Sequence, residues 1–226
     1  MMRKIISLNR FGVTLGLVTL SVFAPTLGVS LAFAAEEGES TPASLALVLT
    51  PSLTSVRNTS DVPAESGIDS DRKLGWGGGL LFDAPLAPAF SFGIGALYID
   101  RKFQVGTGSV RLERKVPTVM VPLEAKFWLA NFFSVGAGGF GAVKVGDVTD
   151  TAVTGGGALQ STTASDHETI EYGLTASANL LFPVAERTGL LLGARYLRGL
   201  KNGSKNAVYD EKIDDLALQV GLNFAI

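Results

Sequence analysis

The chain has no cysteine and a single histidine, and only 18% of its 226 residues are charged. Without thiols there can be no cysteine-ligated metal site, no thiol nucleophile and no lipid attached at a lipobox. Long apolar runs are equally scarce. One spans Phe11 to Phe33, and no stretch of helical length after it is apolar. An exported chain without a second hydrophobic helix is either soluble outside the inner membrane or crosses a membrane as a β-barrel.

The compartment follows from the N-terminus. Arg3, Lys4 and Arg10 precede the apolar run, which ends in Ala32-Phe33-Ala34 ahead of Glu36-Glu37. A basic start, an apolar middle and a small-x-small end make a secretory signal peptide. The expectation is a signal peptide over 1–34 cut after Ala34, a short periplasmic segment over 35–43, and a barrel over 44–226. An uncleaved helix would also be long enough to span, but Pro25 and the Ala-x-Ala pattern favour cleavage. Removing three basic and no acidic residues leaves the mature part more acidic than the formal −2 of the whole chain, so nothing suggests a nucleic-acid partner.

What the chain does have is alternation. From Leu216 to Ile226 the even positions (Leu216, Leu218, Val220, Leu222, Phe224, Ile226) are large and apolar, and the odd ones (Ala217, Gln219, Gly221, Asn223, Ala225) are small or polar. That two-residue period gives a strand one greasy face and one wet face. The same pattern sets Leu45, Leu47, Leu49 and Leu53 against Ala46, Val48, Thr50 and Ser52, with Pro51 marking a bulge or strand end. It sets Trp76, Leu80 and Phe82 against Gly75, Gly77, Gly79 and Asp83, and then Phe90, Phe92, Ile94 and Tyr98 against Ser91, Gly93 and Gly95. This second pair continues past the expected membrane to a turn at Gly106-Thr107-Gly108-Ser109, which predicts a protruding hairpin. In Val119-Met120-Val121-Pro122-Leu123-Glu124-Ala125-Lys126-Phe127, the aliphatic row opposes a row carrying Glu124 and Lys126. A soluble barrel would turn the charges outward and a membrane barrel inward, and this row alone fits either. Three more strands follow, near 133–145, 170–182 and 190–197.

Eight strands result, joined by connections that alternate long and short. Ser55 to Lys73, Gly146 to Glu168 and Lys201 to Lys212 read as long polar loops. The alternation favours a membrane barrel with long extracellular loops, short periplasmic turns and both termini periplasmic. Phe82, Phe90, Phe127, Phe133, Phe182 and Phe224 fall beside the short turns, and Trp76, Tyr98, Tyr172 and Tyr196 toward the long loops, as two girdles. On these features, with the V-P-L-E-A-K-F strand and the closing L-x-L-x-V-x-L-x-F, the chain from Ser44 to Ile226 resembles a small outer-membrane β-barrel of the OmpA/OmpX type. The expected fold is therefore all-β, an eight-stranded antiparallel up-and-down transmembrane barrel in the cell outer membrane. The resemblance implies a structural or surface-interaction role without cofactors. It also implies outer-membrane lipids, lipopolysaccharide and the barrel assembly machinery as partners, and a monomer.

Three groups of residues could carry chemistry. Glu124, Lys126, Glu171 and Arg195 are expected in the lumen, either as a gated polar conduit or as an ion-pair plug, since eight strands leave an interior about filled by side chains. Arg101, Lys102, Arg111, Arg114 and Lys115, opposed in that span only by Glu113, are expected to contact lipopolysaccharide phosphates. His167, within Ser165-Asp166-His167-Glu168, invites comparison with outer-membrane lipid hydrolases. Adjacency in sequence is not triad geometry, so no catalytic or metal site is expected. A small solute channel and a lipid-modifying enzyme are the alternative functions.

Overall fold

The computed structural model describes residues 18–19, 32–33, 42–58, 69–107, 110–154, 157–164, 168–201 and 211–226. The chain divides into two units, Met1–Gly38 and Glu39–Ile226. In the first, Val18–Thr19 pairs antiparallel with Ala32–Phe33.

In the second unit, eleven strands form one antiparallel sheet among the described residues. They are β1 (Ser44–Leu49), β2 (Ser52–Asn58), β3 (Asp69–Ala87), β4 (Phe90–Thr107), β5 (Val110–Ala130), β6 (Phe133–Lys144), β7 (Val148–Thr154), β8 (Gly157–Ala164), β9 (Ile170–Ala185), β10 (Thr188–Gly199) and β11 (Glu211–Ala225). β1 and β2 both pair with β3, β3 with β4, β4 with β5, β5 with β6, β6 with β9, β9 with β10 and β10 with β11, and β11 returns to the start. Its lower half pairs with β1, as in Leu222 with Leu47, and its upper half with β2, as in Leu216 with Leu53. The ring therefore closes with eight staves, β1 and β2 sharing one and β6 and β7 another, while β8 folds back on β7.

Proline explains two irregularities. Between β1 and β2, Pro51 has no N–H to donate, and its carbonyl instead accepts from Leu218 N at 2.9 Å while Thr50 N donates to Gly77 O. Between β4 and β5 the register runs from Ile94 opposite Leu123 directly to Leu97 opposite Met120, skipping the positions beside Pro122.

Alternation decides which way each stave faces. Leu47, Leu123 and Leu218 are 58%, 45% and 53% exposed, whereas their neighbours Val48, Glu124 and Gln219 are at most 2% exposed. The apolar rows of every stave point outward in one continuous belt, and the row carrying Glu124 and Lys126 points inward. That settles the choice strand β5 left open. Phe82, Phe90, Phe127, Phe182 and Phe224 are exposed at one end of the belt and Trp76, Tyr98, Tyr172 and Tyr196 at the other. So large an exposed apolar surface is untenable in water, and a closed ring without an unpaired edge is the strand architecture lipid permits.

Two of the expected loops need correction. Composition made Gly146–Glu168 a long polar loop, yet β7 lies along β5 (Arg114 opposite Asp150, Lys115 opposite Thr149) and β8 pairs with β7. Likewise β2 runs to Asn58 and β3 begins at Asp69, inside the Ser55–Lys73 segment. Threonine, serine and aspartate look loop-like in sequence, but a neighbouring strand supplies ladder partners that override that preference. His167 lies outside the described residues.

A belt facing lipid predicts that the cost of a charge depends on depth. Leu123→Arg, at mid-belt, should lose about 2–4 kcal/mol in urea unfolding from lipid vesicles, and Leu53→Arg, near the rim, about 0–1 kcal/mol. Equal losses at both depths would contradict the orientation of the belt.

Candidate functional site

The lumen is built in layers, each set by the inward row of several strands. Nearest the short turns lies an ionic layer. Arg195 Nη1 meets Glu124 Oε1 at 2.6 Å, and the hydroxyls of Thr175 and Ser177 donate to the two Glu124 oxygens at 2.8 and 2.9 Å. Beside it Lys126 Nζ sits 2.6 Å from Asp83 Oδ1. These are long side chains in a narrow tube, and glycines on neighbouring strands make the room. A Cβ at Gly93 would lie 2.8 Å from Asp83 Oδ1 and 2.9 Å from Lys126 Cε, and one at Gly136 would lie 2.8 Å from Ser177 Oγ.

Above this layer the lumen turns apolar, with Val48, Leu97, Ile99, Met120, Phe140 and Leu197 packed together and buried. A second ionic layer follows. Arg101 is fully buried and reaches Glu171 Oε2 through Nη1 and Asp215 Oδ2 through Nη2, both at 2.7 Å, while Thr54 Oγ1 donates to Asp215 Oδ1 at 2.7 Å. Phe103, Val116, Val148 and Ile213 then form a second apolar cluster, with Val56 packed against it. Arg114 makes two hydrogen bonds to Asp150, at 2.7 and 2.8 Å, between β5 and β7.

The expected lumenal residues are therefore divided. Glu124 and Arg195 bond to each other, and Lys126 pairs with Asp83 rather than with them, although the gap lined by Leu81, Gly93, Pro122, Glu124, Lys126 and Arg195 is common to both pairs. That gap leaves no room for a water molecule. Glu171 belongs to the other layer, beyond the apolar one. The expectation that Arg101 and Arg114 contact lipopolysaccharide is overturned, since both point inward, are at most 8% exposed and are bound to carboxylates. Lys102 and Lys115 remain on the outer face, directly opposite each other across β4 and β5, with Lys115 Nζ 3.0 Å from Asp100 Oδ2. The Asp100 carboxylate, through this hydrogen bond and its charge, holds the Lys115 ammonium above its ordinary pKa. The side chain of Arg111 lies outside the described residues.

Three lumenal partners were missed in the sequence, Asp83, Arg101 and Asp215. Each carries the same two-residue signal. Arg101 shares parity with Leu97 and Ile99, and Asp215 with Ala217 and Gln219, so counting inward positions past the girdle would have found both. The rim carries a further knot. Asp214 accepts from Arg57 Nε and Nη2, Tyr196 Oη and Gly199 N, at 2.7 to 3.2 Å. Among the described residues no group of His, Asp and Glu side chains is arranged to hold a metal ion.

Among solved structures the chain is similar to Ail, the attachment invasion locus protein of Yersinia pestis, in complex with the heparin analogue sucrose octasulfate. Identity is 13% and TM-score 0.43, covering 81% of this chain and 100% of that one. OprG from Pseudomonas aeruginosa matches at 13% identity and TM-score 0.42, covering 84% and 98%. AlkL, determined in DMPC bilayers, matches at 14% and 0.44, covering 88% and 97%. No curated protein matches by sequence. Residues 26–204 match a family model described as an outer membrane protein beta-barrel domain. That match takes in more than half of the chain, and it coincides with a closed ring that is apolar outside and charged within, so the protein belongs to the outer membrane protein beta-barrel domain family and resides in the cell outer membrane.

Proposed function

We propose that the protein is a non-enzymatic outer-membrane barrel with a structural or surface-interaction role, its lumen closed to solutes and its long hairpins presented outside the cell. The observation that carries this reading is the filling of the lumen. Two ionic layers alternate with two apolar ones, and among the described residues each buried charge has a counter-charge in contact. Ion pairs and aliphatic side chains that fill so narrow a tube brace the wall from within. On this reading β4, β5, β7 and β8 rise beyond the Trp76–Tyr98 girdle as a surface for encounter, the termini are periplasmic, and the first 34 residues are removed on export.

Planar-bilayer recording tests the closed lumen directly. The wild-type barrel should show no steady KCl conductance, and discrete single-channel steps would replace this reading with a solute channel. Export is tested by N-terminal sequencing of the outer-membrane protein, which should begin at Ala35. A start at Met1 would refute the signal peptide.

The ion pairs predict non-additive stability. Arg195→Met strands Glu124 in the lumen and should cost about 3–5 kcal/mol, whereas Arg195→Met with Glu124→Met removes both charges and should come much closer to wild type. Urea unfolding in vesicles measures both. A double variant as unstable as the sum of the singles would show that the pair does not act as a unit.

A further inference from the structure

Two consecutive carboxylates grip the upper half of the closing seam from opposite faces of β11. Asp214 shares the outer face with Leu216, and Asp215 shares the inner face with Ala217 and Gln219. Outside, Asp214 accepts from Arg57 Nε at 2.7 Å and Nη2 at 3.1 Å, and from Tyr196 Oη and Gly199 N at 3.2 Å each. Arg57 Nη2 also donates to Gly199 O at 3.1 Å, so a single carboxylate ties β2, β10 and β11 together. Inside, Asp215 accepts from Thr54 Oγ1 at 2.7 Å and stands 2.7 Å from Arg101 Nη2, which ties β2 and β4 to β11. The lower half of the seam is built differently. From Val220 opposite Leu49 to Ala225 opposite Ser44, no side chain titrates. The halves meet at Pro51, where the ladder lacks a donor.

From this geometry we infer that Asp214 and Asp215 form an acid-released latch on the upper seam, hinged at Thr50–Pro51. The inference goes beyond the surface role proposed above, and it holds whichever way this rim faces. Every partner of Asp214 is a donor, so a protonated carboxyl would find no acceptor there and would displace one of them. A proton on the Asp215 oxygen nearest Arg101 would likewise meet a guanidinium, which has donors only. The grip is therefore present while both carboxylates are ionised and is lost as pH falls and they take up protons. Other charges surround the latch. Arg198 lies opposite Asp214 on β10 and Lys212 two positions along its own face, while Glu171 on β9 shares Arg101 with Asp215, and Lys73 on β3 lies opposite Thr54. Glu171 leaves Arg101 a counter-charge when Asp215 is neutralised, so the latch can open without stranding that guanidinium. What the latch covers is apolar. Val56 and Ile213 face each other across this part of the seam and pack with Phe103, Val116 and Val148. Parting β2 from β11 brings water to that cluster while β1 keeps the lower ring closed.

The test uses the full barrel in phosphatidylcholine vesicles, with heat-modifiable gel migration confirming that the belt stays folded at each pH. Amide exchange of peptides is measured from pH 7 to about pH 3, a range that takes in ordinary carboxylate titration, and expressed as protection factors so that the intrinsic pH dependence of exchange drops out. Protection over 52–58 and 211–216 should fall about tenfold or more, since hydrogen bonds to charged groups are the strong ones being lost. Protection over 45–49 and 220–225 should not change, and return to pH 7 should restore the upper seam. Asp214→Asn with Asp215→Asn should show the low protection already at pH 7 and no further step on acidification. Asp150→Asn removes the acid that binds Arg114 beside the same cluster and should keep the step. A disulfide from Asn58→Cys with Glu211→Cys, register partners in a chain with no other cysteine, should abolish the step when oxidised and restore it when reduced. Any of four results would overturn the latch: no step in the wild type, a step that includes the lower seam, a full step in the double asparagine variant, or loss of the step in Asp150→Asn. If the double variant does not insert, the wild type and the disulfide decide alone, because a step that survives oxidation cannot come from parting of β2 and β11.

Discussion

Hydrocarbon offers a backbone nothing to bond with, and almost every feature of this barrel descends from that fact. Each N–H and C=O in the belt must find a partner on the next stave, so the sheet has to end where it began, with β11 against β1 and β2. Closure fixes the parity of every strand at once. Once Leu218 and Leu222 face lipid, Gln219 and Asn223 face the lumen, and the same choice passes stave by stave around the ring. The charges are inside because the aliphatic side chains have the outside.

The lumen then becomes a packing problem of its own. Eight staves enclose a space that side chains fill, and removing ions from water is unfavourable unless each meets an opposite charge and its remaining lone pairs are hydrogen-bonded. Glu124 meets both conditions, with Arg195 as counter-charge and Thr175 and Ser177 as donors. Leu97, Met120 and Phe140 pack together as a buried apolar cluster between the two ionic layers, beside the buried polar side chains of Thr50, Ser52 and Gln219. The glycines at 93 and 136 belong to the same solution, since a side chain there would occupy the space taken by Lys126, Asp83 and Ser177.

Much of this was legible in the sequence, for a definite reason. Alternation is a local signal, and in a closed barrel it has a single meaning, so the eight staves, the outward rows and the inward place of Glu124, Lys126, Glu171 and Arg195 could be read residue by residue. Who pairs with whom could not. That Lys126 takes Asp83 and Arg101 takes Glu171 and Asp215 depends on register between strands far apart in sequence, which the pattern on one strand does not carry. The hairpin of β4 and β5 was expected, but β7 and β8 were read as a loop because threonine- and glycine-rich sequence beyond the membrane lacks the aliphatic row. There β7 is held as a strand by its ladder to β5, with Val148 buried in the second apolar cluster. Treating Arg101 and Arg114 as surface charge came from composition, where parity would have placed them inside.

The seam between β11 and β1 and β2 also has a kinetic meaning. Thr54 and Asp215, bonded across it, are 161 residues apart in the chain, whereas every other stave pairs with a neighbour in sequence. Closing so long a loop is the entropically slowest contact to make, so the hairpins can zip in order while the final seam waits. During that interval two strand edges stand open, one at each end of the growing sheet, and either can pair with a foreign strand. The last hydrogen bonds to form are thus those that end the chain's exposure to misassembly. The time taken to complete this seam sets how long both edges stay open to foreign strands.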